Sequence, residues 1–180
     1  AERLEALCPG AARQTRYLTE TSYGPVYENT QTEYFPLGDV AFPRMLEELR
    51  RAERYIFIEY FIIGSGKMWD AIFEILKEKA AAGVDVRVIY DDFGCITRLP
   101  GNYPRQLREM GIPAHSFKPF IPVLSSRLNN RDHRKLMIID GTVGYTGGIN
   151  LADEYINIGS KFGHWKDCGI RIEGEAVWSM

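Results

Sequence analysis

Apolar and polar positions change period several times along the 180 residues, and each change marks an element. After Asp39, apolar Val40, Met45, Leu46 and Leu49 recur near helical spacing. This predicts a helix capped by Asp39 that tolerates Pro43 near its start. Arg54 to Ile63 follows as an almost unbroken apolar run, YIFIEYFII, of strand length. In KMWDAIFEILKEKAAAG the helical period returns, with Trp69, Ile72, Phe73, Ile75 and Leu76 on one face and Gly83 as the stop. VDVRVIYDD predicts a strand, YPRQLREMG a short helix closed at Gly111, and IPAHSF a short strand. Asp132–Ile139 and Thr142–Thr146 predict two strands joined at Asp140-Gly141, a strong hairpin signal. NLADEYIN reads as helical, HWKDCGIRIEG ends in a strand, and EAVWSM begins a helix.

Strand, helix, strand, helix, strand implies an α/β layered domain whose sheet is at least partly parallel. Residues 1–35 are polar and mixed, with RLEAL as a short helix and YGPVYENT as loop, so the domain is expected over 36–180. That polar segment leaves room for a membrane anchor ahead of Ala1, and no run in the sequence approaches the roughly 20 apolar residues of a spanning helix.

The formal net charge of −2 excludes a protein-wide nucleic-acid footprint, so any anion site must be a local concentration of charge. Cys8, Cys95 and Cys168 show no metal-ligand spacing, which argues against a zinc site or a disulfide framework and for a reducing compartment.

NNRDHRKLMIIDGTVGYTGGIN, Asn129 to Asn150, concentrates the charge. Side chains alternate along a strand, so His133 and Lys135 share a face while Arg134 points away. Asp140 has the opposite parity and lies beyond the strand end, where it is placed to organise the turn by accepting hydrogen bonds from nearby backbone amides or from a neighbouring side chain. A histidine beside a lysine suits an anionic substrate, with the lysine supplying fixed charge to a phosphate oxygen. Gly147 and Gly148 are expected to let backbone approach the ligand with amide donors free, and Asn150 to add a neutral amide donor.

His133-x-Lys135-x4-Asp140-x6-Gly147-Gly148-x-Asn150 resembles the HKD motif of the phospholipase D superfamily. The surrounding segments TGGINLADEYIN, GHWKDCGIRIEG, IEYFII, GVDVRVIYDD and GIPAHSFKPF resemble its bacterial cardiolipin synthase branch, specifically the first catalytic domain. The resemblance implies a layered α-β-α sandwich with a mixed, largely parallel central sheet. It implies that His133 is the nucleophile, that Lys135 and Asn150 bind phosphate oxygens, and that Asp140 is structural. An acidic residue holds the histidine's other ring nitrogen in this superfamily; Asp167 fits that place, with Asp153 and Glu154 as rivals. The expected reaction converts two phosphatidylglycerols to cardiolipin and glycerol, without metal or organic cofactor. The alternatives are a phosphodiesterase or nuclease of the same superfamily, against which the acidic net charge and an apolar loop stand, and a non-catalytic lipid-binding half-domain.

The family builds one site from two motifs, and this chain has one. In HWK, His164 and Lys166 are followed by Arg171 where an aspartate belongs, which makes them a decoy. The second motif is therefore expected from another domain of a longer chain or from a homodimer mate. The implied partners are anionic phospholipid and the membrane surface, with no nucleic acid. The implied location is a bacterial cell membrane, with this domain on the cytoplasmic side. Glu59 within the apolar strand is open between a role near the site and a buried partner, and Asp91 and Asp92 between function and a turn. Phe117, Phe120, Ile121, Pro122, Val123 and Leu124 form a loop suited either to acyl chains or to packing on the core.

Overall fold

The computed structural model describes residues 2–22, 24–120, 130–159 and 163–180. Two helices, α1 (Glu2–Leu7) and α2 (Pro9–Ser22), lead into strand β1 (Thr30–Phe35). Then come α3 (Gly38–Arg51), β2 (Tyr55–Tyr60), α4 (Lys67–Ala81) and β3 (Asp85–Asp91). The turn-length α5 (Asp92–Cys95), α6 (Tyr103–Glu109), β4 (Ala114–Phe117), β5 (Lys135–Ile139), β6 (Val143–Gly147) and β7 (Gly169–Gly174) follow. Short 3-10 turns occupy Asp153–Ile156 and Glu175–Ser179.

One seven-stranded sheet runs β1-β7-β6-β5-β2-β3-β4. The expected α/β architecture with a mixed sheet is present, with a smaller parallel share than anticipated. Among the strands of the described residues, pairing is parallel in β2–β3 and β3–β4, where crossover helices separate the strands. The pairs β2–β5, β5–β6, β6–β7 and β7–β1 are antiparallel. Two-residue turns such as Asp140-Gly141 can return a strand only in that sense. Both turn residues have positive φ, +54° and +70°, which aspartate tolerates better than most residues and glycine adopts freely.

Alternation along β2 sends Ile56, Ile58 and Tyr60 into the core beneath α3 and α4, at 0–3% exposure. Each buried aliphatic side chain of this kind contributes about 1.5–3 kcal/mol. The opposite face carries half-buried Phe57 and Glu59, with Ile89 and Ile170 more than a third exposed. Helix α3 begins at Gly38, so Asp39 lies in its first turn rather than capping it. A side chain at Gly38 would run into the Tyr155 carbonyl, which is why the helix starts on a glycine. Its buried face is Ala41, Met45, Glu48 and Leu49, leaving Val40 outside.

β1 lies within the stretch expected to be polar lead-in. Of its six residues only Phe35 is buried, so an edge strand forms with almost no hydrophobic signature. Among the described residues no helix is long and apolar enough to cross a membrane.

Candidate active site

Strand directions gather the candidate residues at one rim. The end of β2, the start of β5, the end of β6 and the start of β7 meet there because each successive pair is antiparallel. Strands β3 and β4, parallel to β2, end at the same rim.

His133 is exposed and precedes β5 rather than lying within the strand. The β2 ladder ends with Tyr60 opposite Lys135, and Phe61 N donating to Arg134 O at 3.1 Å closes it. The expected start of the strand at Asp132 is thus corrected, since β2 offers nothing further to pair. His133 and Lys135 nevertheless flank one side chain. The His133 ring lies 4.7 Å from the Phe61 centroid at 54°, and Lys135 Nζ stands 5.2 Å from it. Lys135 is 5% exposed and Nζ donates to the His133 carbonyl at 2.6 Å. Burial pushes the Lys135 amine below its usual range, against the opposing charges of Asp167 and Asp132.

The backbone leading to His133 is fastened by a carboxylate from β3. Asp91 is fully buried, and both its oxygens accept from Arg131 Nε at 3.0 Å. It also accepts from Arg131 Nη2, from Asp132 N and from Gly94 N. Arg131 Nη2 donates onward to the Phe117 and Lys118 carbonyls. On the open face, Arg134 bridges Glu59 at 2.5 Å and Asp132 at 3.0 Å. Burial and the neighbouring Asp132 carboxylate raise Glu59 to about 7. Arg134 opposes that rise, but its guanidinium is mostly solvent-facing and already bonded by Asp132, so burial wins. Asp132 feels burial most, yet the hydrogen bonds from Arg134 and Glu59 outweigh it and bring its carboxyl down to about 2. Glu59 therefore pairs with Arg134 and Asp132, the two residues that flank the histidine in sequence.

Across the rim, Gly147 and Gly148 make room for the segment before β7. A side chain at Gly148 would overlap the Asp167 carboxylate, and one at Gly147 the Cys168 carbonyl. Gly148 N donates to Cys168 O at 3.0 Å, which corrects the expectation that its amide is free. Asp167 is half-buried, accepts from Cys168 N at 2.9 Å and acts electrostatically on Lys135. Among the described residues it makes no hydrogen bond to His133. Asn150 is 2% exposed; its Oδ1 accepts from Ile62 N at 2.9 Å and its Nδ2 donates to Tyr155 OH at 2.8 Å. It is a strut between the segment that follows β2 and the Asp153–Ile156 turn, with one amide hydrogen left over.

Asp140 sits at the far end of β5. Its carboxylate accepts from Glu53 N, Arg54 N and Tyr55 N, and these hydrogen bonds bring its carboxyl below the usual range although burial opposes them. Asp153 accepts from Lys67 N and Met68 N at the start of α4, and Glu154 pairs with Arg98 at 2.7 Å. Both rivals of Asp167 are thus bonded to other groups. His164 and Lys166 are exposed, on the chain before β7. Phe120 N donates to Asp92 and its ring packs on Phe93 at 5.6 Å; Ile121, Pro122, Val123 and Leu124 lie outside the described residues. Phe61 and the Asp91–Arg131 pair escape sequence reasoning. Only the position of Asp91 at a strand's carboxyl end pointed toward it.

A mixed sheet with one histidine–lysine motif at its rim is the arrangement of a phospholipase D-like domain. Residues 45–161 match the family described as "Cardiolipin synthase, PLD-like domain", and the chain belongs to that family. It is 47% identical over 165 residues to an uncharacterised protein of Streptococcus mutans, covering 92% of this chain and 36% of that one. It is 39% identical over 153 residues to a cardiolipin synthase of Oceanobacillus iheyensis, covering 85% and 32%. The chain thus spans about a third of the length of the curated relatives it matches. The fold resembles NucT from Helicobacter pylori, with a TM-score of 0.63 at 14% identity over 83% of this chain and 89% of that one.

Proposed function

We propose that this chain carries one half of a phosphatidyl-transfer site in which His133 is the nucleophile. The observation that carries the reading is the pairing of an exposed imidazole with a buried ammonium around Phe61. A partly dehydrated cation beside a solvent-reachable ring nitrogen suits in-line attack on a phosphodiester.

In the proposed first step, His133 attacks the phosphorus of phosphatidylglycerol. The P–N bond forms, the bond to the headgroup glycerol oxygen breaks, and glycerol leaves after taking a proton. In the second step, a hydroxyl of another phosphatidylglycerol gives its proton to the group that protonated the glycerol and attacks phosphorus, the P–N bond breaks, and His133 is released with cardiolipin. Lys135 neutralises phosphate charge, and Asp167 supports the charged imidazole. Asp140 holds the strand, and Gly147 and Gly148 admit Asp167. Asn150 holds the rim and offers the phosphate at most its second amide hydrogen.

The proton for the leaving group is assigned to a second histidine, from another domain of a longer chain or from a second copy of this one. The open sheet face beside the site supports such a partner. The proposed setting is the cytoplasmic surface of a bacterial membrane rich in anionic phospholipid.

Incubation with phosphatidylglycerol vesicles followed by mass spectrometry tests the reading. A phosphatidyl adduct on His133, absent in His133→Ala, is the expected result. Vesicle binding without any adduct would make the chain a lipid-binding module, and cleavage of single-stranded DNA without lipid turnover would make it a nuclease.

A further inference from the structure

We propose that Phe61 is the positioning residue of this site, its ring fixing the His133 imidazole and the Lys135 ammonium relative to one another. Among the described residues the His133 side chain makes no hydrogen bond or ion pair, and its interaction there is with the Phe61 ring at 4.7 Å. Lys135 Nζ lies 5.2 Å from the same ring, within reach of a cation–π attraction. One aromatic side chain thus touches both groups that the proposed chemistry needs.

The ring can serve this purpose because its backbone is fixed on several sides. Phe61 N donates to Arg134 O, and Phe61 O accepts from Cys95 Sγ at 3.6 Å. The next amides, Ile62 N and Ile63 N, donate to Asn150 Oδ1 and Cys95 Sγ. Gly94 lies so close that a side chain there would overlap the Phe61 carbonyl and press on its ring. Strand β2, the α5 turn and Asn150 therefore set where the ring stands, and the ring sets the imidazole. Asp91, which caps α5 and holds Arg131 and Asp132, ties the same turn to the histidine's own backbone. A displacement of about 1 Å at such a contact can cost on the order of a hundredfold in rate.

The inference rests on His133 being the nucleophile for its catalytic meaning, but the geometry is testable without turnover. The His133 ring signals, assigned by their loss in His133→Ala, are followed by proton–carbon NMR in the 180-residue protein. Phe61→Leu is expected to move them toward the values of an unstructured histidine as the ring current is lost, and Phe61→Tyr to leave them in place. Gly94→Ala keeps the ring but pushes it, and is expected to move the same signals if Phe61→Leu does not fold. Signals unchanged in both Phe61→Leu and Gly94→Ala would overturn the proposal. The rate of adduct formation at His133 is expected to fall on the order of tenfold or more in Phe61→Leu and to recover in Phe61→Tyr. An unchanged rate in Phe61→Leu would refute positioning while leaving the function standing. Responsive signals with no adduct in any variant would leave the placement standing and refute the function.

Discussion

The two ends of β5 both carry ionisable side chains and do opposite things. At the turn end, the carboxylate of Asp140 is filled by the backbone amides of Glu53, Arg54 and Tyr55, where the chain enters β2. At the rim end, His133 projects into solvent with its ring contact to Phe61, and Lys135 lends its ammonium to a single carbonyl. A polar side chain saturated by backbone is architecture. One whose partners leave donors and charge unmet is available for chemistry. The distinction lies in the neighbours, which sit some 75 to 87 residues away in sequence at Glu59–Arg134 and Glu53–Asp140.

Removing each anchor shows how firmly each end is held. Asp91→Ala leaves Arg131 half-buried without its carboxylate, and is expected to cost about 3–5 kcal/mol by urea denaturation. A loss near that for a surface pair would mean that the rim end is held by something else. Asp140→Ala strips three amides of a charged acceptor and places alanine at positive φ. A loss of about 2–3 kcal/mol is expected, with Asp140→Asn clearly milder because asparagine tolerates that backbone. Gly148→Ala forces a methyl group against Asp167, and is expected to cost about 1–3 kcal/mol in denaturant midpoint.

Glu59 gives a slope rather than a drop. Its carboxyl, raised to about 7, makes the folded protein hold a proton that the unfolded chain releases near 4.5. The stabilisation is complete below 4.5 and is lost as pH rises through 7. Asp132 works in the other direction: its contribution is present above its usual value and is lost as pH falls through about 2. Between pH 5 and 8 the thermal midpoint of the wild type should therefore fall relative to that of Glu59→Gln. Parallel midpoints would show that Arg134 keeps Glu59 ionised. His133→Ala, last in the series, should change stability by less than about 0.5 kcal/mol, because an exposed side chain that makes no hydrogen bond among the described residues supports little. That residue is the one on which the proposed reaction depends.

Much of this was readable before any coordinates. The period along Lys67–Ala81 located α4, and the alternation of His133, Arg134 and Lys135 placed Arg134 opposite the lysine. What escaped has physical causes. β1 buries only Phe35, so its pairing with β7 supplies the order that its side chains do not announce. Gly147 and Gly148 were readable as close-approach positions, but the approaching group is Asp167 with Cys168 rather than a ligand. Asp153 and Glu154 could be set aside only once α4 and Arg98 were seen beside them.

The Asp140-Gly141 turn also has a temporal consequence. It joins β5 to β6 over the three residues Asp140, Gly141 and Thr142, so Lys135 on one arm and Gly147 on the other come together through local contacts. Hairpins of this kind close in microseconds, whereas Asp91 and Asp167 must arrive from distant strands. The lysine-bearing hairpin is thus expected to be in place early in folding, and the carboxylates that complete the rim to arrive only as β3 and β7 join the sheet.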